Sequence, residues 1–178
     1  LGSLPQKSYT DETRHFETEA LKLPDELTVE EALERVLRLV SVGSKEFLVH
    51  KVDRSVGGRI AQQQCVGPAQ LPVADFAILA DSYFDTSGTV HALGEQPITG
   101  MLSPGASVRL AMTEAILNMA GAAIDTDQGL DGIKASANWM LAAKKLGRDA
   151  WLYEACEALS TFCIELGCAI DGGKDSLS

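Results

Sequence analysis

The sequence predicts an α+β fold, and three observations carry that expectation. Candidate elements run helix, strands, helix, helix, strand, without the regular alternation a doubly wound sheet needs. Residues 73–80 and 89–93 flank a turn at residues 85–88, so they read as a hairpin pair. Of the 178 residues, 46% are hydrophobic and 22% are charged. That is a globular mixture, and a domain of this length can bury roughly 70% of its unfolded surface.

The elements follow in order. Residues 1–26 are polar, carry Pro5 and Pro24, show no sustained period, and read as a linker or an arm laid on a surface. The domain proper is expected over residues 27–178. Thr28 is a good N-cap, with Glu30 and Glu31 in the first turn, where the helix dipole favours anions. Thr28 and Glu31 have capping-box spacing, and Leu33, Val36, Leu37 and Val40 continue an apolar stripe up to Gly43. Residues 47–52 read as a short strand and residues 53–58 as a turn. Residues 73–80 form an apolar run, taken as a buried strand, with Asp75 inside it. Ser103 and Pro104 open a long helix to about Ile124. Residues 134–137 are a weak strand and residues 138–145 a short helix. A long helix over residues 148–166 is stopped by Gly167. Residues 168–170 are a last strand running into a turn at Asp171, Gly172 and Gly173. An ending just after a strand and a turn suggests a fragment.

Charge and cysteine usage narrow the function classes. The chain carries 15 Lys and Arg against 25 Asp and Glu, a formal charge of −10. No Lys or Arg lies between Arg59 and Arg109, so the basic patch expected of a nucleic-acid domain is missing. A small anionic ligand stays compatible, because backbone amides or a bound cation can hold one. The most apolar stretch, residues 110–124, contains Glu114 and Asn118, which argues against a membrane span. Cys65, Cys156, Cys163 and Cys168 lack CxxC spacing and follow no signal peptide. They point to a reducing, cytoplasmic setting, with Cys156 and Cys163 as small core residues on one helix face.

Three groups of residues could carry chemistry. Glu114 and Asn118 are four apart on a predicted helix, beside Ala111, Ala115 and Gly121. Two oxygen donors among small residues would suit a magnesium-bound phosphate, which prefers few protein carboxylates plus water. The plain alternative is a polar stripe facing water. Asp75 sits in an apolar run, where a buried carboxylate is costly without a partner; it is either a structural pair or a ligand. Residues 171–176 (Asp-Gly-Gly-Lys-Asp-Ser) resemble a phosphate loop in flavour but fail the Walker A spacing. Read alone they are a turn. No GxGxxG, GxSxG, HExxH or CxxC occurs, and His15, His50 and His91 are scattered, so no catalytic residue is assigned.

Several segments resemble the phosphoribosylformylglycinamidine synthase family. They are Lys51-Val52-Asp53-Arg54-Ser55-Val56-Gly57-Gly58, Ala61-Gln62-Gln63-Gln64-Cys65-Val66-Gly67-Pro68 and Leu93-Gly94-Glu95-Gln96-Pro97. Ser136-Ala137-Asn138-Trp139-Met140 and residues 171–178 fit too, as does the helix around Ala32 to Leu39. The resemblance implies a large ATP- and glutamine-dependent ligase of purine synthesis, which turns formylglycinamide ribonucleotide into the amidine. It implies two related halves, each with an A-type and a B-type domain, and a glutaminase domain. This chain resembles the A-type domain of the second half, truncated before its B-type domain. The fold implied is a small, mostly antiparallel sheet backed by helices, as in the aminoimidazole ribonucleotide synthetase superfamily.

The resemblance also implies an auxiliary Mg2+ and ATP/ADP site with a structural role. Asp75, Glu114 and Asn118 match its metal ligands, Ala74 lies at the nucleotide, and Lys45 matches a lysine near the phosphates. A fourth ligand belongs to the B-type domain, and the glutaminase nucleophile is absent, so the chain alone is expected to be inactive. The implied partners are the A-type domain of the first half and the following B-type domain, with no nucleic acid and no membrane. Alone, the open sheet is expected to self-pair as a homodimer. A purely structural pairing domain without nucleotide is the alternative. A piece of an aminoimidazole ribonucleotide synthetase-type enzyme is a third reading, opposed by the Asp53–Gly58 and Asn138-Trp139-Met140 segments.

Overall fold

A computed structural model of the chain describes residues 8, 10–14, 17–51, 54, 58–125 and 129–178. It divides into two compact units, Thr18–Ala92, and Leu1–Glu17 with Leu93–Ser178. No described helix is long and apolar enough to cross a membrane.

In the unit of residues 18–92, helix α1 (Val29–Leu37) begins where its cap predicts. Thr28 Oγ1 accepts the Glu31 N–H at 3.2 Å, and Glu31 Oε2 accepts the Thr28 N–H at 3.3 Å, completing the capping box. None of its residues is buried, so the stripe of Leu33, Val36 and Leu37 lies open. The strand expected over residues 47–52 is instead a single helical turn, α2 (Glu46–Val49). The Ser44 hydroxyl accepts the Glu46 N–H at 3.2 Å, and Val49 and His50 donate to Lys45 and Glu46 carbonyls. Three apolar residues in a row cannot separate a strand from one turn of helix, and here the local hydroxyl decided it. Most of the predicted turn at residues 53–58 lies outside the described residues.

Strands β1 (Ile60–Gln62), β2 (Phe76–Ala80) and β3 (Gly88–Ala92) make an antiparallel sheet in the order β1-β2-β3. The expected hairpin is present, in register from Phe76 opposite Ala92 to Ala80 opposite Gly88. Asp85 Oδ1 shapes its turn by accepting the Thr86 N–H at 2.7 Å and the Ser87 N–H at 3.3 Å. The strand starts three residues later than expected. Val73 donates to Leu71 O and Ala74 to Gln64 O, so this stretch is tied to the preceding loop, not to the sheet. Asp75 therefore precedes the strand and is exposed.

In the other unit, α3 (Pro97–Leu102) precedes α4 (Pro104–Asn118). Ser103 separates them, its hydroxyl accepting the Ala106 N–H at 3.3 Å. The sequence reading missed α3 and carried α4 too far; tight 3-10-type bonds after Ile116 and Leu117 end it. Strand β4 (Lys134–Leu141) replaces both the weak strand and the short helix predicted at residues 138–145. Ala135, Ala137, Trp139 and Leu141 face inward, while Lys134, Ser136, Asn138 and Met140 face out. Helix α5 (Arg148–Leu166) has the predicted limits, and its C-terminus closes on Gly167 at φ 72°. Cys168 donates to Cys163 O at 3.0 Å and Gly167 to Ile164 O at 3.2 Å, a Schellman closure.

Strand β5 (Ala169–Leu177) then runs parallel to β4, from Lys134 opposite Ala169 to Leu141 opposite Leu177. The predicted turn at Asp171–Gly173 is in fact part of this strand. Close pairing explains the glycine: a Cβ on Gly173 would lie 2.1 Å from the Ala137 carbonyl oxygen. The described fold is thus α+β, with an antiparallel sheet of three strands and a separate parallel pair.

The core of this unit gathers Met112, Cys163 and Cys168, with Ile116, Ile133, Ala135, Leu159, Phe162 and Leu166 around them. All four cysteines are free. Cys156, expected in the core, is exposed, because the buried stripe of α5 runs through Ala155, Leu159 and Cys163 instead. Burial pushes the Cys163 and Cys168 thiols up, which keeps them protonated and poorly nucleophilic.

The N-terminal arm is tied to α5 by one carboxylate. Asp11 accepts the Gly147 N–H at 2.8 Å on Oδ1, and the Asp149 and Ala150 N–H groups at 3.0 and 3.2 Å on Oδ2. The helix's own N-cap is Gly147, which has no side-chain oxygen, so a residue far away in sequence satisfies the first amides. The Gly147 amide, helped by those of Ala150, Glu12 and Asp149, holds the Asp11 carboxyl below the usual carboxylate range. A carboxyl with a depressed folded pKa stabilises above its unfolded value and loses that contribution as pH falls through the folded one. Asp11→Ala is therefore expected to lower the melting temperature at neutral pH. The difference should close as the pH drops below the usual carboxylate range. Equal melting temperatures at neutral pH would contradict this role.

Candidate functional site

Glu114 and Asn118 stand one turn apart on α4, as their spacing predicts. Met112 points into the core, and Glu114, two residues on, lies on roughly the opposite side of the helix. That side, with Ala111 and Ala115, is covered by the backbone of residues 93–96. The approach is very close: a Cβ on Gly94 would lie 1.9 Å from Ala111 O and 2.7 Å from the Ala115 nitrogen. Glycine is the residue that permits it.

Both side chains are held by this segment. Glu114 Oε2 accepts the Glu95 N–H at 3.2 Å and the Gln96 Nε2–H at 2.9 Å. Asn118 Nδ2 donates to Leu93 O at 2.9 Å. Both are half-buried. The bonds spend one atom of each side chain and leave its other oxygen: among the described residues, Glu114 Oε1 and Asn118 Oδ1 accept no hydrogen bond. A neutral amide oxygen and one carboxylate oxygen, a turn apart and pre-oriented, suit a hard cation that keeps waters and takes few protein ligands. The donor set on α4 therefore fits magnesium.

The remaining predicted residues belong to the unit of residues 18–92. Asp75 lies just before β2, between two held peptides: Ala74 N–H donates to Gln64 O at 3.3 Å, and Gln62 Nε2 donates to Phe76 O at 3.2 Å. Its carboxylate is exposed and, among the described residues, makes no hydrogen bond or ion pair. The even choice between structural pair and ligand thus loses its pairing arm within the described residues. Ala74 is half-buried beside it. Lys45 leads into α2 and its Nζ donates to the Gly43 carbonyl, within its own loop. Among the described residues, no group of three or more His, Cys, Asp and Glu gathers in one place. Sequence reasoning missed Gln96, Gly94 and Thr99. For Gly94 and Gln96 the signal was the Leu93-Gly94-Glu95-Gln96-Pro97 segment, which carried the resemblance without a role; Thr99 lies two residues beyond it.

The comparisons with known proteins agree with one another over residues 44–178. A family model described as FGAR-AT PurM_N-like domain matches residues 44–178. Phosphoribosylformylglycinamidine synthase of Homo sapiens is 50% identical over 178 residues, all of this chain and 13% of that protein. The Drosophila melanogaster protein of the same name is 48% identical over the same span, again 13% of its length. An Arabidopsis thaliana protein, named as a probable, chloroplastic/mitochondrial form, is 49% identical and is covered over 12% of its length. The chain thus spans about an eighth of the curated relatives it matches. With the family model covering both α4 and the residues 93–96 that grip it, the chain belongs to the FGAR-AT PurM_N-like domain family.

Proposed function

We propose that this chain is the A-type domain of the second synthetase half of a phosphoribosylformylglycinamidine synthase, and that it carries an auxiliary magnesium–nucleotide site. The whole protein would be a carbon–nitrogen ligase of purine synthesis, using ATP and a glutamine amidotransferase function to convert formylglycinamide ribonucleotide to its amidine. The relatives' names support that activity. The observation that carries the site is the pair on α4: Glu114 and Asn118 each keep one oxygen available while the other atom is fixed. When bound, magnesium would neutralise nucleotide phosphate charge. Glu114 Oε1 and Asn118 Oδ1 would hold it, with Asp75 as the third ligand that the resemblance assigns. The resemblance also puts Ala74 at the nucleotide and Lys45 near its phosphates. No catalytic residue is proposed in this chain, and alone it should show no synthase or glutaminase turnover.

The test is a calorimetric titration of the protein with ADP, with and without magnesium. Magnesium-dependent binding supports the site. Absence of binding in the full-length protein would favour the second reading, a purely structural domain. One observation speaks for that second reading: the same bonds that orient Glu114 and Asn118 also fasten residues 93–96 to α4.

The partners we propose are a related A-type domain and the B-type domain that would follow. Strand β5 is exposed along its whole length, and Met140 on the outer face of β4 is 75% exposed. The chain by itself is expected to form a homodimer in light scattering; a clean monomer would refute this. The four free cysteines support a reducing, cytoplasmic setting.

A further inference from the structure

Gln96 sits between two hydrogen bonds whose directions fix each other. Its Nε2 donates to Glu114 Oε2 at 2.9 Å, and its Oε1 accepts the Thr99 hydroxyl at 3.2 Å. An ionised carboxylate only accepts, so the amide nitrogen has to face Glu114, and the Thr99 hydroxyl, which can donate, binds the amide oxygen on the other side. The Gln96 backbone is pinned too: its carbonyl accepts the hydroxyl of Ser107, a buried residue of α4, at 3.0 Å. Gln96, Thr99 and Ser107 thus lock one donor onto one oxygen of Glu114. A carboxylate held by one oxygen has its rotation about the terminal torsion fixed, and its second oxygen is presented in one direction.

We propose that Gln96 is a positioning residue for the metal site: it fixes Glu114 Oε2 so that Oε1 is presented to magnesium, and the Thr99 hydroxyl ties down the other end of the Gln96 amide. This rests on the reading of Glu114 as a metal ligand. Partners of this kind, one bond removed from the metal, typically matter 10–100-fold in metal affinity. Gln96 touches neither metal nor nucleotide; it acts through Glu114.

The experiment compares the full-length protein with its Gln96→Met, Thr99→Val and Glu114→Ala variants. Methionine keeps the length and volume of glutamine and removes the donor. Each protein is titrated with ADP in excess magnesium, with ADP in chelator, and with manganese alone, read by the manganese resonance signal. Gln96→Met is expected to weaken magnesium-dependent ADP binding and manganese binding about 10-fold, with metal-free ADP binding unchanged. Thr99→Val should give a smaller loss of the same metal-dependent kind, because it touches Glu114 only through Gln96. That split between metal-dependent and metal-free binding is what a merely structural role would not produce. Normal metal affinity in Gln96→Met beside a collapse in Glu114→Ala would overturn the proposal and leave the Glu114 assignment standing. Equal losses with and without metal would overturn it as well, by showing a general packing defect. No metal-dependent binding in the unaltered protein would remove the reading on which the proposal rests.

Discussion

Replacing Gly94 with valine is expected to be the most damaging single change in this domain. Its Cβ would enter the α4 backbone, 1.9 Å from Ala111 O and 2.7 Å from the Ala115 nitrogen. Backbone atoms cannot step aside as a flexible side chain can, so residues 93–96 would have to lift off the helix. That would break the bonds from Glu95, Gln96 and Leu93 to Glu114 and Asn118 together. Overpacking alone costs about 1–3 kcal/mol, and leaving half-buried partners unmatched adds about 1–3 kcal/mol for each group. Against a total stability of about 5–15 kcal/mol, loss of soluble folded protein is the expected result. Gly132→Ala is the control: among the described residues its Cβ would meet only the Asp125 carbonyl, at 3.5 Å, and its melting temperature should barely move. A Gly94→Val protein that melts like the control would show that the 93–96 segment does not lie on α4.

Glu114→Ala should separate binding from folding. It removes one proposed metal ligand and the acceptor for two donors of residues 93–96. Magnesium-dependent nucleotide affinity is expected to fall by more than the roughly 100-fold that bounds the effect of an indirect partner. The stability cost should be modest, about 1–3 kcal/mol, because of the donors left behind Gln96 is only half-buried and Glu95 is exposed to water. Unchanged magnesium-dependent affinity, in a protein that binds the metal nucleotide at all, would return Glu114 to the role of a structural acceptor.

The parts of the fold legible in the sequence were those written in local chemistry. Thr28 and Glu31 announced α1 through a capping box that is formed as expected. Gly167 announced the end of α5 because only a left-handed residue closes that helix. Residues 85–88 announced the β2–β3 hairpin. Strand β4 was legible but misread: polar and apolar residues alternate from Lys134 through Asn138 to Trp139, and only Met140 interrupts the pattern. Strand β5 was not legible past Ile170. Asp171, Gly172 and Gly173 have poor strand propensity and are extended because β4 pairs with them.

The candidate site divides the same way. Four-residue spacing was enough to put Glu114 and Asn118 on one face of α4. The segment that grips them lies 18 to 25 residues away, and the Asp11 cap of α5 more than a hundred, so no local pattern could reveal either contact. Asp75 was singled out for standing in an apolar run, but the cost of burial that made it suspicious is absent, since it is exposed just ahead of the strand. Its interest now comes from an unpaired carboxylate flanked by held peptides, not from burial.

Anomalous diffraction from crystals of the full-length protein, grown with manganese and ADP, would locate the metal beside α4 directly. The expected result is a manganese peak about 2.0–2.3 Å from Glu114 Oε1 and Asn118 Oδ1, with Glu114 Oε2 still bonded to Gln96. A nucleotide-bound crystal with no peak beside α4, or with the Asn118 amide nitrogen turned toward that position, would contradict it.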